Sequence, residues 1–226
     1  MTELVPQSEV KTRIARRIAQ EFMAQERRMS INLGVGTPTL VANYITGNRI
    51  FLQAENGMLG VGPKAEGDAV DRKLINAGRE PVTETPGCCY FDSATSFGMI
   101  RGGHIDATVI GAFEVDETGN IANWIIPNGR QLGVGGAMDL VAGARQVVVA
   151  LPHTSSKGQP KLVRECTLPI TGRQEADLVV TELAVFRFRE GRMVLEELAP
   201  EIDLEGLRAL TAARFTVGEH LKPMPV

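Results

Sequence analysis

Ile50-Phe51-Leu52-Gln53-Ala54-Glu55-Asn56-Gly57-Met58-Leu59-Gly60-Val61-Gly62-Pro63 is the stretch on which the reading of the fold turns. A short apolar run ends in a carboxylate, and a string of glycines follows at once. Residues 50–54 read as a buried strand and Asn56-Gly57 as a tight turn. Glu55 therefore stands where a strand stops and irregular backbone begins. A carboxylate held there can act as a nucleophile, because loops at strand ends carry chemistry on a rigid scaffold. On this window alone a second reading stays open, a solvated glutamate before a hairpin turn, and short motifs give that outcome more often.

Upstream, the same order of elements appears. Val10, Ile14, Ile18 and Phe22 recur at helical spacing with Ser8 as N-cap, and the basic cluster Arg13, Arg16 and Arg17 reads as a solvated face of that helix. Residues 31–35 read as a buried strand running into Gly34-Val35-Gly36-Thr37-Pro38. Thr37 as cap and Pro38 in the first turn start a helix that stops near Gly47. Backbone N–H groups at such a junction attract phosphate or carboxylate, which makes Gly34 and Gly36 candidate binding residues.

Downstream, 57–62 read as a glycine loop and 63–78 as a long loop with one helical turn. Residues 82–85 form a short strand, and Asp92 or Ser93 caps a helix closed by Gly102-Gly103. The apolar runs 105–113, 121–126 and 146–151 are strands, and Gly133-Val134-Gly135-Gly136 leads into a short helix. Strands at 183–188 and 193–195 meet at the turn Glu190-Gly191, and Leu204, Leu207 and Leu210 mark a late helix. Strands alternating with helices predict an α/β fold with a largely parallel sheet.

The 226 residues suit one large α/β domain or two small ones, and 43% hydrophobic content with 23% charged residues is enough for a full core. A formal net charge of −3 without a concentrated basic surface argues against nucleic acid as a partner. Cys88, Cys89 and Cys166 make neither a disulfide framework nor a zinc motif, so no metal is expected and a reduced, cytoplasmic setting fits. No signal peptide is read in residues 1–30, and no apolar stretch is long enough to span a membrane.

Eight segments together resemble one family. They are NLGVGTPTLVANYI (32–45), AENGMLGVGP (54–63), LINAG (74–78), IRGGHID (100–106), GNIANWIIP (119–127), VGGAMDL (134–140), ECTLPITG (165–172) and TELAVF (181–186). They are similar, in the family's order and over nearly the whole chain, to the β subunit of family I coenzyme A transferases of the 3-oxoacid type. The resemblance implies a Rossmann-like three-layer α/β fold over a single domain, 1–226, and an obligate α subunit as partner. A β–β dimer is compatible with that pairing. It implies transfer of CoA between a short acid, succinate or acetate, and a 3-oxoacid such as acetoacetate or 3-oxoadipate, by ping-pong through a glutamyl-CoA thioester. The substrates are an acyl-CoA and a carboxylic acid, and no separate cofactor is implied because the CoA thioester is itself the substrate.

The family's catalytic glutamate falls on Glu55, and its oxyanion N–H falls on Gly136. Its active-site asparagine falls on Asn32. Asn56, Gly57 and Gly135 flank these positions. Glycine at 135 and 136 permits φ > 0 and lets backbone N–H groups approach substrate. Arg79, beside LINAG, is a candidate cation for CoA, although a solvated surface arginine is the commoner reading. Three departures stand out: Ala54 where relatives carry serine, Pro127-Asn128-Gly129-Arg130-Gln131 where they carry Pro-Gly-Lys, and Cys88-Cys89 where small residues are usual. Among the remaining polar residues, His104 reads as a cap or core residue, Glu114 as a turn carboxylate and Trp124 as core. Asn123 reads as a partner of the catalytic loop and Cys166 as buried and inert. Two other functions compete: an acyl-CoA hydrolase on the same scaffold, and a non-catalytic binding subunit.

Overall fold

The computed structural model describes residues 4–126, 129 and 133–225. The helices are α1 (Gln7–Met23), α2 (Ser93–Arg101), α3 (Ala137–Gly143) and α4 (Leu204–Leu210). The strands, in chain order, are β1 (Met29–Leu33), β2 (Ile50–Ala54), β3 (Met58–Lys64), β4 (Val82–Tyr90), β5 (Ala107–Gly111), β6 (Glu114–Asp116), β7 (Ile121–Ala122), β8 (Val147–Ala150), β9 (Leu162–Val163), β10 (Leu178–Val180), β11 (Ala184–Arg189), β12 (Arg192–Leu198) and β13 (Thr216–Pro223). Ten of them form one sheet in the order β13-β12-β11-β10-β8-β5-β1-β2-β3-β4, while β7-β6-β9 form a small second sheet.

The central run β10-β8-β5-β1-β2 is parallel throughout, and antiparallel pairs flank it. Within it β5, β8 and β10 are buried on both faces, as the unbroken apolar runs at 107–111 and 147–150 require. From β1 the chain crosses to β2 on one side, and from β5 it crosses to β8 on the other. Right-handed crossovers then place Pro38–Tyr44 and α3 on opposite faces of the sheet. α1 packs on the first of these and α2 on the second. The strand order reverses between β1 and β5, and in open α/β sheets ligands bind at the carboxyl ends of the strands at such a point.

Val10, Ile14, Ile18 and Phe22 of α1 are all buried in the main core, as their spacing demands. The expected cap is different: Pro6 precedes the helix, Ser8 lies within it, and no side chain caps it. The basic cluster is not a solvated face. Arg17, only 7% exposed, donates from Nε and Nη2 to Glu197 of β12 at 2.7 and 2.8 Å. Arg13 pairs with Glu201, and Arg16 lies over the Tyr44 ring. These charges dock the helix rather than hydrate it.

The glycine loop expected at 57–62 is instead strand β3, hairpinned to β2 and β4. Its glycines serve close strand packing. A Cβ at Gly60 would lie 2.9 Å from Cys88 Cα, and one at Gly62 would lie 2.6 Å from Thr83 Oγ1. The partner strand therefore runs on to Tyr90, well past the short strand expected at 82–85. The run 121–126 contributes only Ile121–Ala122 as strand, and 105–113 is trimmed to Ala107–Gly111. Glu190 and Gly191, with φ of 52° and 71°, make the expected hairpin turn. Asp92 caps α2 by accepting from Thr95 N at 2.7 Å. Among the described residues no helix is long and apolar enough to cross a membrane.

His153 is a fully buried titratable group away from this region. Its ring lies between Thr181 Oγ1 (3.1 Å) and Thr211 Oγ1 (2.9 Å), and burial pushes its pKa down to about 4. The unfolded imidazole titrates near 6.5, so the fold holds the neutral form. Its stabilisation is complete above about pH 6.5 and is lost as pH falls from there toward 4. Urea unfolding at pH 7.5 and pH 5.0 should show the wild type losing about 2 kcal/mol more than His153→Gln over that interval. Parallel losses in the two proteins would contradict the assignment.

Candidate active site

Glu55 follows directly on Ala54, the last residue of β2. Parallel register sets Asn32 of β1 beside Gln53 of β2 and Thr108 of β5, so three polar side chains lie in one row across an otherwise apolar sheet. All three are buried. Gln53 and Glu55 are two residues apart and face the same way. Ala54 faces the opposite side and packs with Met58 and Val82, where an extra hydroxyl would meet apolar neighbours.

Asn32 joins the row to the strand end. Its Nδ2 donates to Gln53 Oε1 at 2.7 Å and to Glu55 Oε2 at 3.0 Å, with the Gln53 carbonyl at 3.2 Å. Gln53 Nε2 donates in turn to Ser96 Oγ of α2 at 2.8 Å. Glu55 is half-buried, and its Oε1 has no hydrogen-bond donor among the described residues. One carboxylate oxygen is tethered and the other is open. Gln53 and Ser96 escaped the sequence reading. The signal was present as a glutamine at the end of an apolar strand, where an amide is costly unless bonded.

Gly136 caps α3 beside Glu55. A Cβ there would lie 3.5 Å from Glu55 Cγ and 3.0 Å from Phe97 Cζ. Its φ is −87°, so space and not a left-handed backbone requires glycine at 136. The positive φ expected for the pair belongs to Gly135, at 53°. Phe97 is held by the Arg101 guanidinium stacked 5.6 Å from its ring, and Arg101 also pairs with Asp139 of α3 at 2.7 Å. Thus α2 and α3 close one side of the carboxylate.

Other candidates sort differently. Gly34 does not offer a free N–H, because it donates to Val109 O at 2.8 Å, and its carbonyl accepts from Thr39 Oγ1. The following segment is a 3-10 helix, Pro38–Tyr44, and Thr37 gives it no side-chain cap. The anion cradle expected at 34–38 is therefore not built as an α-helix N-terminus. Gly36, with φ 92°, stays open to solvent beside the exposed Val35. Asn56 donates to Ile75 O at 2.8 Å and ties the turn after Glu55 to the loop that carries Arg79. Arg79 is exposed with φ 65°, at the end of the turn from Asn76. Gly57, with φ 126°, is forced, since a Cβ would collide with the Phe91 carbonyl oxygen.

His104 is exposed and not in the core, and its backbone N–H closes the end of α2 by donating to Met99 O at 3.0 Å. Glu114 opens β6 instead of lying in the expected turn, and it accepts from Thr167 and Leu168. Asn123 pairs with Thr171, not with the catalytic turn. Burial pushes the half-buried Cys166 thiol up to about 12, which keeps it unreactive. The divergent 127–131 loop lies outside the described residues except for Gly129.

Residues 11–209 match the family model described as coenzyme A transferase. The chain is 49% identical to the beta chain of the acetate CoA-transferase of Escherichia coli K12 over 94% of its own length and 96% of that protein's. It is 47% identical to one subunit of a probable succinyl-CoA:3-ketoacid coenzyme A transferase of Bacillus subtilis, covering 94% and 98%. In fold it is similar to an acyl-CoA transferase of Escherichia coli O157:H7, with a TM-score of 0.74 and 21% identity, over 100% of this chain and 44% of that one.

The two positive-φ glycines flanking the site separate strain from collision. Gly36→Ala, in open space, should cost about 1–2 kcal/mol in urea unfolding. Gly57→Ala should cost at least about 3 kcal/mol, since overpacking against Phe91 adds to the same backbone strain. Equal costs would mean that the turn relaxes and that its geometry is not fixed by Phe91.

Proposed function

The chain belongs to the coenzyme A transferase family, and we propose that it is the nucleophile-bearing β subunit of an enzyme that moves CoA between a short carboxylic acid and a 3-oxoacid. The observation that carries this reading is the half-tethered carboxylate: Glu55 Oε2 is held by buried Asn32, Oε1 is open, and the Gly136 backbone lies alongside. The relatives' names, an acetate CoA-transferase and a succinyl-CoA:3-ketoacid coenzyme A transferase, support the substrate class. Both names describe one subunit of a larger enzyme, which supports an α subunit as partner.

In this reaction Glu55 Oε1 attacks the thioester carbonyl of an acyl-CoA. The C–S bond breaks, leaving a mixed anhydride on Glu55 and CoA thiolate. The thiolate then attacks the glutamyl carbonyl, releases the donor acid with the attacking oxygen, and leaves a glutamyl-CoA thioester. An acceptor carboxylate runs both steps in reverse, so no thioester bond energy is lost to water. A carboxylate is a weak nucleophile toward a thioester, and positioning is the large term, about 7–11 kcal/mol in well-oriented intramolecular reactions. The Gly136 N–H serves the oxyanion of the first step, and one such donor is worth about 2.7–4 kcal/mol. The rim is open in this chain, with Val35 67% and Met138 39% exposed. An α subunit seated there excludes the water that would hydrolyse the anhydride.

The test is Glu55→Ala assayed with the partner subunit. Transfer should fall by at least about 10⁴-fold with assembly intact, since the side chain lies at a half-buried turn. Retention of more than a trace of transfer would remove Glu55 from the reaction. The wild type should pass CoA on as a new thioester only when an acceptor acid is present and should free no CoA thiol, whereas free CoA formed without an acceptor would identify the hydrolase.

A further inference from the structure

A parallel sheet centre has no need of a glutamine. Gln53 is 2% exposed and Ser96 is fully buried, so both pay the cost of desolvation. Gln53 Nε2 donates to Ser96 Oγ at 2.8 Å, which turns Gln53 Oε1 toward β1. That oxygen accepts from Asn32 Nδ2 at 2.7 Å. The same Nδ2 reaches Glu55 Oε2 at 3.0 Å. Were the Asn32 amide reversed, its oxygen would face the Gln53 side-chain oxygen, the Gln53 carbonyl and a carboxylate, all acceptors. The Gln53 carbonyl and the Glu55 carboxylate can only accept and so set the amide's direction, while Gln53 and Ser96 hold the side chain at that place without touching Glu55.

Ser96 is well placed for this. It lies in the first turn of α2, its N–H donates to Asp92 O at 3.0 Å, and the Asp92 side chain caps the helix. The next residue, Phe97, is the ring against Gly136. One helix turn thus supports both sides of the carboxylate.

From this relay we infer that Ser96 and Gln53 are positioning residues for the transfer reaction. They hold the Asn32 side chain in place so that Glu55 Oε2 is held and Oε1 is the oxygen that attacks. The inference rests on Glu55 being the nucleophile. Oε2 remains an acceptor in the carboxylate, the anhydride and the thioester, so one amide orientation serves every intermediate.

The experiment is a double-mutant cycle on the enzyme assembled with its partner subunit. The readout is the single-turnover rate constant for loading CoA onto the enzyme, which does not depend on the fraction of active sites. Gln53→Met should lower it about tenfold and Ser96→Ala about threefold, the scale of one lost hydrogen bond, with KM for the acyl-CoA within about twofold of wild type. Gln53→Met/Ser96→Ala should be no slower than Gln53→Met alone, because Ser96 acts only through Gln53. Multiplying losses in the double variant, or a loss carried by KM, would overturn the relay. If Gln53→Met does not assemble, Asn32→Ala takes its corner, and a Ser96→Ala loss that persists in that background overturns the proposal equally. Failure of the parent reading is separately visible: wild-type enzyme would transfer CoA with no mass added at Glu55.

Discussion

The hydrogen bond from Asn32 Nδ2 to Glu55 Oε2 joins the end of β2 to β1, and the site depends on it. It exists because two parallel strands are paired in a register that sets Asn32 beside Gln53. A one-residue slip would turn Gln53 into the apolar cluster of Ala54, Met58 and Val82 and carry Asn32 away from Glu55. The apolar runs of β1, β2 and β5 resist that slip, because their buried faces must stay buried. Core packing and the geometry around Glu55 are therefore set by the same register.

Strands whose apolar runs are covered on both faces were legible in the sequence, as were the helix of Val10, Ile14, Ile18 and Phe22 and the Asp92 cap. What escaped was decided by tertiary packing. Strand β13 is almost wholly exposed at a sheet edge, so it carries no apolar signature. Glycines 60 and 62 looked like a loop, but they allow β3 and β4 to approach closely. Arg17 looked solvated until β12 supplied Glu197.

The proximity of Glu55 and Gly136 was legible, but for different reasons. Glu55 followed from its place at a strand end and from the family's pattern. Gly136 followed from the pattern alone, since its physical requirement is space against Phe97, which is remote in sequence. Gln53 and Ser96 required the fold, because nothing local says that an amide and a hydroxyl in separate elements share a bond. The opposite error occurred at Gly34, whose local setting suggested an anion site. The sheet had already taken its N–H through Val109.

The most direct measurement is mass spectrometry of the peptide that contains Glu55, after the assembled enzyme has met an acyl-CoA without acceptor and been treated with borohydride. A glutamyl thioester is reduced to the alcohol, so the account predicts a net loss of about 14 Da at Glu55, one oxygen lost and two hydrogens gained relative to the free acid. An unmodified Glu55 in enzyme that turns over, with the change at another residue, would contradict it.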